Sequence, residues 1–174
     1  MDNRLFKSLK IISVGLLFLR LGFISTTMVV DDEAYYYLYS RHLAWGYIDH
    51  GPLIAFIIKF FTIFFGENGF GIRVGSVMLL TSLSYFLYVF GRKYFNQTTG
   101  AIMSLTVLTN VLFHSNGVVM TPDAPLVFFS MLFIMFYYIA FFHNKAWFLP
   151  AGICLGFGLL SKISALFPAL GILL

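Results

Sequence analysis

Between Lys93 and Lys145 the chain carries one charged side chain, Asp123. Two apolar stretches lie on either side of that aspartate, 99 to 119 and 124 to 142, and each is about as long as the roughly 20 residues a helix needs to cross a bilayer. A water-soluble fold has no use for so long an interval with a single charge, because its helices must each present a polar face to solvent. With 60% hydrophobic residues, 22 phenylalanines and only 10% charged residues, the apolar surface exceeds what one globular core can cover. The sequence therefore predicts an all-α, polytopic transmembrane helix bundle, one membrane domain over residues 1–174.

The other spans follow from the same reading. The amino terminus "MDNRLFKSLK" is basic and precedes an apolar run from Ile11 to Val30. It resembles a signal peptide but has no small-x-small cleavage site and is long enough to span, so it reads as an uncleaved first helix. Arg20 interrupts it, and an intramembrane charge faces a bundle interior or a wet cavity. Residues 70 to 90 make a second span, 99 to 119 a third, 124 to 142 a fourth and 146 to 160 a fifth, with a sixth beginning near Ile163. The closing run "FPALGILL" is too short to finish a span, and the chain reads as the amino-terminal part of a longer protein.

Residues 51 to 69, "GPLIAFIIKFFTIFFGENG", break the pattern. Their apolar core is about 15 residues long and holds Lys59, too short to cross, and the helical spacing of Ile54, Ile57, Ile58 and Phe61 suits a helix lying on the membrane surface. With this segment flat, Arg4, Lys7, Lys10, Arg92, Lys93 and Lys145 share one side, as the positive-inside rule expects of the cytoplasm. Asp31, Asp32, Glu33, Asp49, Glu67 and Asp123 then share the other. The basic balance of +4 thus serves the membrane, and no nucleic-acid partner is expected. Cys154, the one cysteine, has no partner for a disulfide or a cysteine metal cluster.

Four of the seven acidic residues fall in "VVDDEAYYYLYSRHLAWGYIDHGPL", residues 29 to 53. Asp31 is placed to cap a helix whose first turn holds Asp32 and Glu33, a position that favours carboxylates. Asp32, Tyr35, Tyr36, Tyr39 and Leu43 would share one face of it. In "VVMTPDAPLVFF", Thr121 reads as a cap, Pro122 as the first helical residue and Asp123 as an acid in the first turn. Either start alone is adequately explained by helix chemistry. Two of them on one side of the membrane can converge on a site, where one carboxylate acts as general base on an acceptor hydroxyl and the second orients the acceptor or holds a divalent cation. A phosphate there would need cations, and Lys59, Arg73, His50 and Lys162 are the candidates. The polar stripe Thr106, Thr109, Asn110, His114 and Ser115 in the third span fits helix-helix hydrogen bonding or a groove lining. A transporter or a noncatalytic membrane scaffold would also set charges beside spans.

Five ordered motifs, "DDEAYY", "GYIDHGPL", "FGENGFGIRV", "TPDAPLVFF" and "GLLSK", together resemble the amino-terminal half of the GT-C membrane glycosyltransferases of the protein mannosyltransferase and aminoarabinose transferase type, from Arg20 onward. The resemblance implies surface helices in a long first outer loop and transfer of a sugar from a polyprenyl-phosphate carrier to a lipid, glycan or protein acceptor at the outer face of the plasma (inner) membrane. It puts the family's acidic pair on Asp32 and Glu33 and its second outer acid on Asp123, as catalytic residues. Tyr36, Asp49, His50, Arg73 and Lys162 become the substrate-binding set, and Asp32, Asp123 and His50 the candidates for holding a divalent cation. Many relatives carry a lysine and two prolines where this chain has "DHGP", so the phosphate contact at His50 and Gly51 departs from the pattern.

Overall fold

The computed structural model describes residues 3–173; the side chains of residues 3–6 and 173, with the expected cytoplasmic charge Arg4, lie outside the described part. Every described element is helical. In chain order they are α1 (Asn3–Thr26), α2 (Asp31–Arg41), α3 (Leu53–Phe65), α4 (Gly69–Tyr94), α5 (Gln97–Thr109), α6 (Val111–Asn116), α7 (Asp123–Phe142), α8 (Phe148–Ser161) and α9 (Leu166–Leu173), with single 3-10 turns leading into α8 and α9. Within α1, the stretch Lys7–Thr26 is long and apolar enough to cross a membrane, as are α4 and α7. Even the shortest of these stretches, at 20 residues, reaches about 30 Å at 1.5 Å per residue.

The core is built on α4. Its buried row Leu80, Leu83, Leu87 and Phe90 meets Leu132, Phe133, Met135 and Ile139 of α7 and Val107 of α5. Leucine and phenylalanine recur on α4 at spacings of three and four, so one stripe faces the bundle while Tyr85, Phe86 and Val89 face outward. The α4–α5 hairpin closes where Gly91 lies on Gly100: a Cβ at Gly91 would stand 2.5 Å from the Gly100 Cα. Small residues let two backbones approach in this way.

The expected third span is interrupted. Asn110 ends α5 and begins α6, and its side chain accepts from the Leu112 amide at 3.0 Å. That amide would otherwise bond the Leu108 carbonyl one turn back. Arg20 takes the vacated carbonyl instead: its Nη2 donates to Leu108 O at 3.1 Å and lies 3.1 Å from His114 Nδ1. Arg20 is fully buried, so it is a helix-paired arginine, as the interior reading required. The rest of the polar stripe does not reach across helices. Thr106, Thr109 and Ser115 donate back to carbonyls of their own turns.

The helix expected to lie on the membrane surface, α3, starts and ends close to its expected limits. At 13 residues α3 spans about 20 Å and cannot cross by itself. It folds back on the first turns of α4, where Gly75 lies against Ile57 and Phe61. Its most buried residues are Ile54, Ala55, Ile58 and Thr62, a face turned somewhat from the expected Ile54, Ile57, Ile58 and Phe61; of these Ile57 and Phe61 are half-buried. Thr62 is buried because its hydroxyl bonds the Ile58 carbonyl at 2.9 Å and exposes no unpaired polar atom. An ion pair between Arg41 and Glu67 ties the end of α2 to the turn before α4. Cysteines placed at Ile48 and Glu67 are expected to react with a membrane-impermeant maleimide from one side and a cysteine at Lys93 from the other. Labelling of positions 48 and 67 from opposite sides would make α3 a span.

Candidate functional site

Three helix starts meet at one end of the bundle, and Glu33 is where they are joined. Arg73 Nε donates to Glu33 Oε1 and Oε2 at 2.7 and 2.8 Å, and Nη2 donates to Oε2 at 2.5 Å. The remaining guanidinium hydrogens go to the α1–α2 connection: Nη1 to Thr27 O at 3.1 Å and Thr27 Oγ1 at 2.7 Å, and Nη2 to Met28 O at 2.6 Å. All five N–H donors of Arg73 are therefore engaged. Glu33 also accepts the Val30 amide at 3.1 Å and the Met120 amide at 2.9 Å. Both side chains are buried, at 0% and 3% exposure.

This corrects two expectations. Arg73 has no N–H left for a phosphate, and the Glu33 carboxylate is enclosed among amides and guanidinium, so neither is open to a ligand. Glu33 also takes the helix start that Asp31 was expected to cap. Val30 holds the cap position, Asp31 is the first residue of α2, and Glu33 at the third position reaches back to the Val30 amide, the carboxylate half of a capping box. A buried arginine selects which of three neighbouring acids turns inward.

The inward turn of Glu33 sets its neighbours. The buried side of α2 is Glu33, Tyr36 and Ser40, while Asp32 and Tyr35 are exposed and Leu43 lies past the helix end. The expected single face of Asp32, Tyr35, Tyr36, Tyr39 and Leu43 is thus split by about one residue. Burial raises the Tyr36 phenol above the ordinary tyrosine range, and the charges of Asp32, Asp123 and Asp49 add to the effect. The Tyr36 ring also lies 5.7 Å from that of His50. Asp123 is half-exposed at the start of α7 and accepts from Lys162 Nζ at 2.9 Å. Pro122, not Thr121, holds the cap position there, and the Thr121 carbonyl accepts the Ala124 amide. Lys162 is placed by the end of α8, where Ser161 donates to the Pro122 carbonyl at 2.6 Å.

Beside this cluster opens a cleft of about 640 Å³, walled by the loop from Trp45 to Pro52 on one side and by Leu159, Lys162 and Ile163 on the other. Asp49 and His50 line it. The loop is braced by aromatic contacts: Tyr39 and Tyr47 stack at 3.8 Å, and Tyr47 donates to the Tyr39 carbonyl at 2.9 Å. Tyr35 donates to Asp49 Oδ2 at 2.7 Å and accepts from Tyr39. The Asp49 carboxylate, and after it Tyr39, push the Tyr35 phenol well above its usual range. Gly51 allows the loop to lie on α8, since a Cβ there would stand 1.9 Å from the Leu160 carbonyl oxygen. Any side chain at this position would collide with that carbonyl.

Of the expected residues, Asp32, Tyr36, Asp49, His50, Asp123 and Lys162 share one neighbourhood; Glu33 and Arg73 form the buried support behind it. Lys59 sits apart on α3. Among the described residues no three histidine, cysteine or acidic side chains gather as metal ligands, so Asp32, Asp123 and His50 do not form a ready-made cation site. Thr27, Met28, Met120, Tyr35 and Tyr47 were absent from the expected set. The x-x-x-Glu spacing from Val30 signals the first cap, but the long-range contacts of Thr27, Met28 and Met120 carry no local signal.

A family model described as dolichyl-phosphate-mannose-protein mannosyltransferase matches residues 49–174. No curated protein and no solved structure matches the chain.

Proposed function

The chain belongs to the dolichyl-phosphate-mannose-protein mannosyltransferase family, and from that premise we propose that it works in transfer of a sugar from a polyprenyl-phosphate carrier to an acceptor hydroxyl at the outer face of the plasma membrane, with its amino terminus in the cytoplasm. The observation that carries this reading is the Asp123–Lys162 ion pair at the wall of a cleft that Asp49 and His50 also line. In the proposed step Asp32, the exposed carboxylate, takes the proton of the acceptor hydroxyl. The acceptor oxygen bonds to C1 of the sugar, and the bond from C1 to the phosphate oxygen breaks, leaving polyprenyl phosphate. Asp123 holds Lys162 at the cleft wall. An ammonium has three donors, so Lys162 keeps two for the departing phosphate, and His50 faces the same space. Tyr36 and Asp49 orient hydroxyls of the acceptor or sugar. No step is assigned to a metal.

The test is transfer by the purified full-length protein in bilayers, from a radiolabelled polyprenyl-phosphate mannose to a peptide or glycan acceptor. Product that depends on the lipid donor supports the reading; solute uptake into sealed vesicles without transfer would replace it by a transporter. Within that assay Lys162→Gln is expected to weaken donor binding by roughly ten- to a hundredfold, the scale of one hydrogen bond to a charged group, and Lys162→Arg to recover part of it. Unchanged donor affinity in Lys162→Gln would remove Lys162 from the site.

A further inference from the structure

The loop that walls the cleft is not held in place by burial. Ile48 is fully exposed and Trp45 is 89% exposed, and a segment with so few buried apolar contacts keeps one shape only through particular polar and ring contacts. Those contacts run through two tyrosines of α2. The Tyr39 ring carries Tyr47 in the stack described above, and within the loop the Tyr47 amide donates to the His50 carbonyl at 3.3 Å. The Tyr39 hydroxyl donates to the Tyr35 oxygen, and the Tyr35 hydroxyl donates to Asp49 Oδ2 at 2.7 Å. Two phenols in series therefore end on one oxygen of one carboxylate, a charge-assisted bond that the second phenol strengthens by polarising the first. Asp49 Oδ1 makes no hydrogen bond among the described residues. Tyr35 is 41% exposed and Tyr39 half-buried, so neither hydroxyl belongs to the packed core. Tyrosines at a membrane surface ordinarily turn the polar tip of the ring to water; these two turn theirs toward a carboxylate at the cleft.

We propose that Tyr35 and Tyr39 are positioning residues that hold Asp49 for a hydroxyl of the donor's sugar, so that the cleft distinguishes a sugar-bearing lipid carrier from the bare phosphate. The inference rests on the donor reading of the cleft given above. Lys162, the cation assigned to the phosphate, lines the same cleft as Asp49, whereas Asp32, the carboxylate assigned to the acceptor, does not line it. A sugar is joined to its phosphate through C1, so a phosphate at Lys162 brings the sugar into the space that Asp49 borders. The chemistry matches at that point: an ionised carboxylate only accepts hydrogen bonds, and sugar hydroxyls donate them. The bare carrier has no sugar hydroxyl to give, and its phosphate, with a second ionisable oxygen, is repelled by the same carboxylate. Attraction for one lipid and repulsion of the other both widen the difference in affinity. Tyr35 and Tyr39 touch no substrate in this arrangement. They act by fixing an exposed carboxylate beforehand, which removes the cost of ordering it when the donor arrives.

The experiment is equilibrium binding of two lipids, polyprenyl-phosphate mannose and bare polyprenyl phosphate, to the full-length protein in nanodiscs with no acceptor present. The unaltered protein should hold the mannosyl lipid about tenfold more tightly than the bare one, the scale of one hydrogen bond to a charged group. Asp49→Asn and Tyr35→Phe should each bring that ratio below about threefold without weakening the bare lipid, and the two together should lower it no further, because they remove one arrangement. Tyr39→Phe, one step back in the series, should fall between these variants and the unaltered protein. Tyr37→Phe, which removes a hydroxyl from the same helix that faces Arg41 instead, should keep the full ratio. An unchanged ratio in Tyr35→Phe or Tyr39→Phe overturns the proposal, and so does an equal loss of both lipids, which is what a merely structural role would produce. An unaltered protein that binds the two lipids equally overturns this inference and leaves the donor reading standing; one that binds neither overturns both.

Discussion

Asp32→Asn and Asp123→Asn, each in the full-length protein, are expected to insert and express normally and to cut sugar transfer by roughly a hundredfold or more, the usual scale for losing general acid–base catalysis. The geometry makes this a clean experiment. Neither aspartate occupies a helix cap, since Val30 and Pro122 hold those positions, so the ready explanation that both serve folding is weakened from the start. What each loses as asparagine is a favourable charge in a first helical turn, about 0.3–1 kcal/mol. Asp123 also gives up a half-exposed ion pair with Lys162, of a kind that contributes at most about 1 kcal/mol. An amide neither takes a proton from an acceptor hydroxyl nor holds the lysine in the same way. The double variant should lose less than the product of the single effects, because groups that act as a unit are not additive. Near-normal transfer by either asparagine variant would take that residue out of the chemistry.

The opposite pattern is expected one residue along. Glu33→Ala leaves Arg73 buried with no carboxylate, and breaking a buried pair from one side costs about 3–5 kcal/mol. The cost here extends past the pair, because the Val30 and Met120 amides lose their acceptor together. The protein should fail to accumulate, or melt far below the unaltered chain in detergent. Arg73→Met should behave similarly. Glu33→Leu combined with Arg73→Met removes the stranded charge and should recover part of the lost stability, although four backbone groups remain without their partners. A Glu33→Ala protein as stable as the original but inactive would return Glu33 to the catalytic role suggested by the acidic pair.

The contrast between Asp32 and Glu33 marks how far the amino-acid order can be read. The single charge between Lys93 and Lys145 was sufficient for the helical membrane bundle, and the short, lysine-bearing segment 51 to 66 for a helix that cannot cross. Those are local properties of hydrophobicity and length. Which of three adjacent acids faces inward depends on a guanidinium 40 residues away, and no local pattern encodes that distance. The break at Asn110 was hidden for a related reason. An asparagine in an apolar run looks like any interior polar residue until Arg20, 88 residues before Leu108, is seen to take the Leu108 carbonyl that it frees. The neighbourhood of Asp32, Asp123 and Lys162 was legible because each sits at a helix end, and helix ends on one side of a bundle are forced close together, with the His50 loop beside them.

That Arg20 contact also sets an order of events during synthesis. The first helix must enter the bilayer carrying a guanidinium whose carbonyl and histidine partners have not yet been made. At roughly 5–20 residues per second, the ribosome takes about 4–18 seconds to add the 88 residues separating Arg20 from Leu108. Through that interval the charge costs up to roughly 3 kcal/mol at mid-membrane, and the nascent helix lowers it by sliding Arg20 toward a headgroup layer or by staying beside the insertion machinery. The resting depth of α1 is therefore decided late, when α5 arrives and draws it into register.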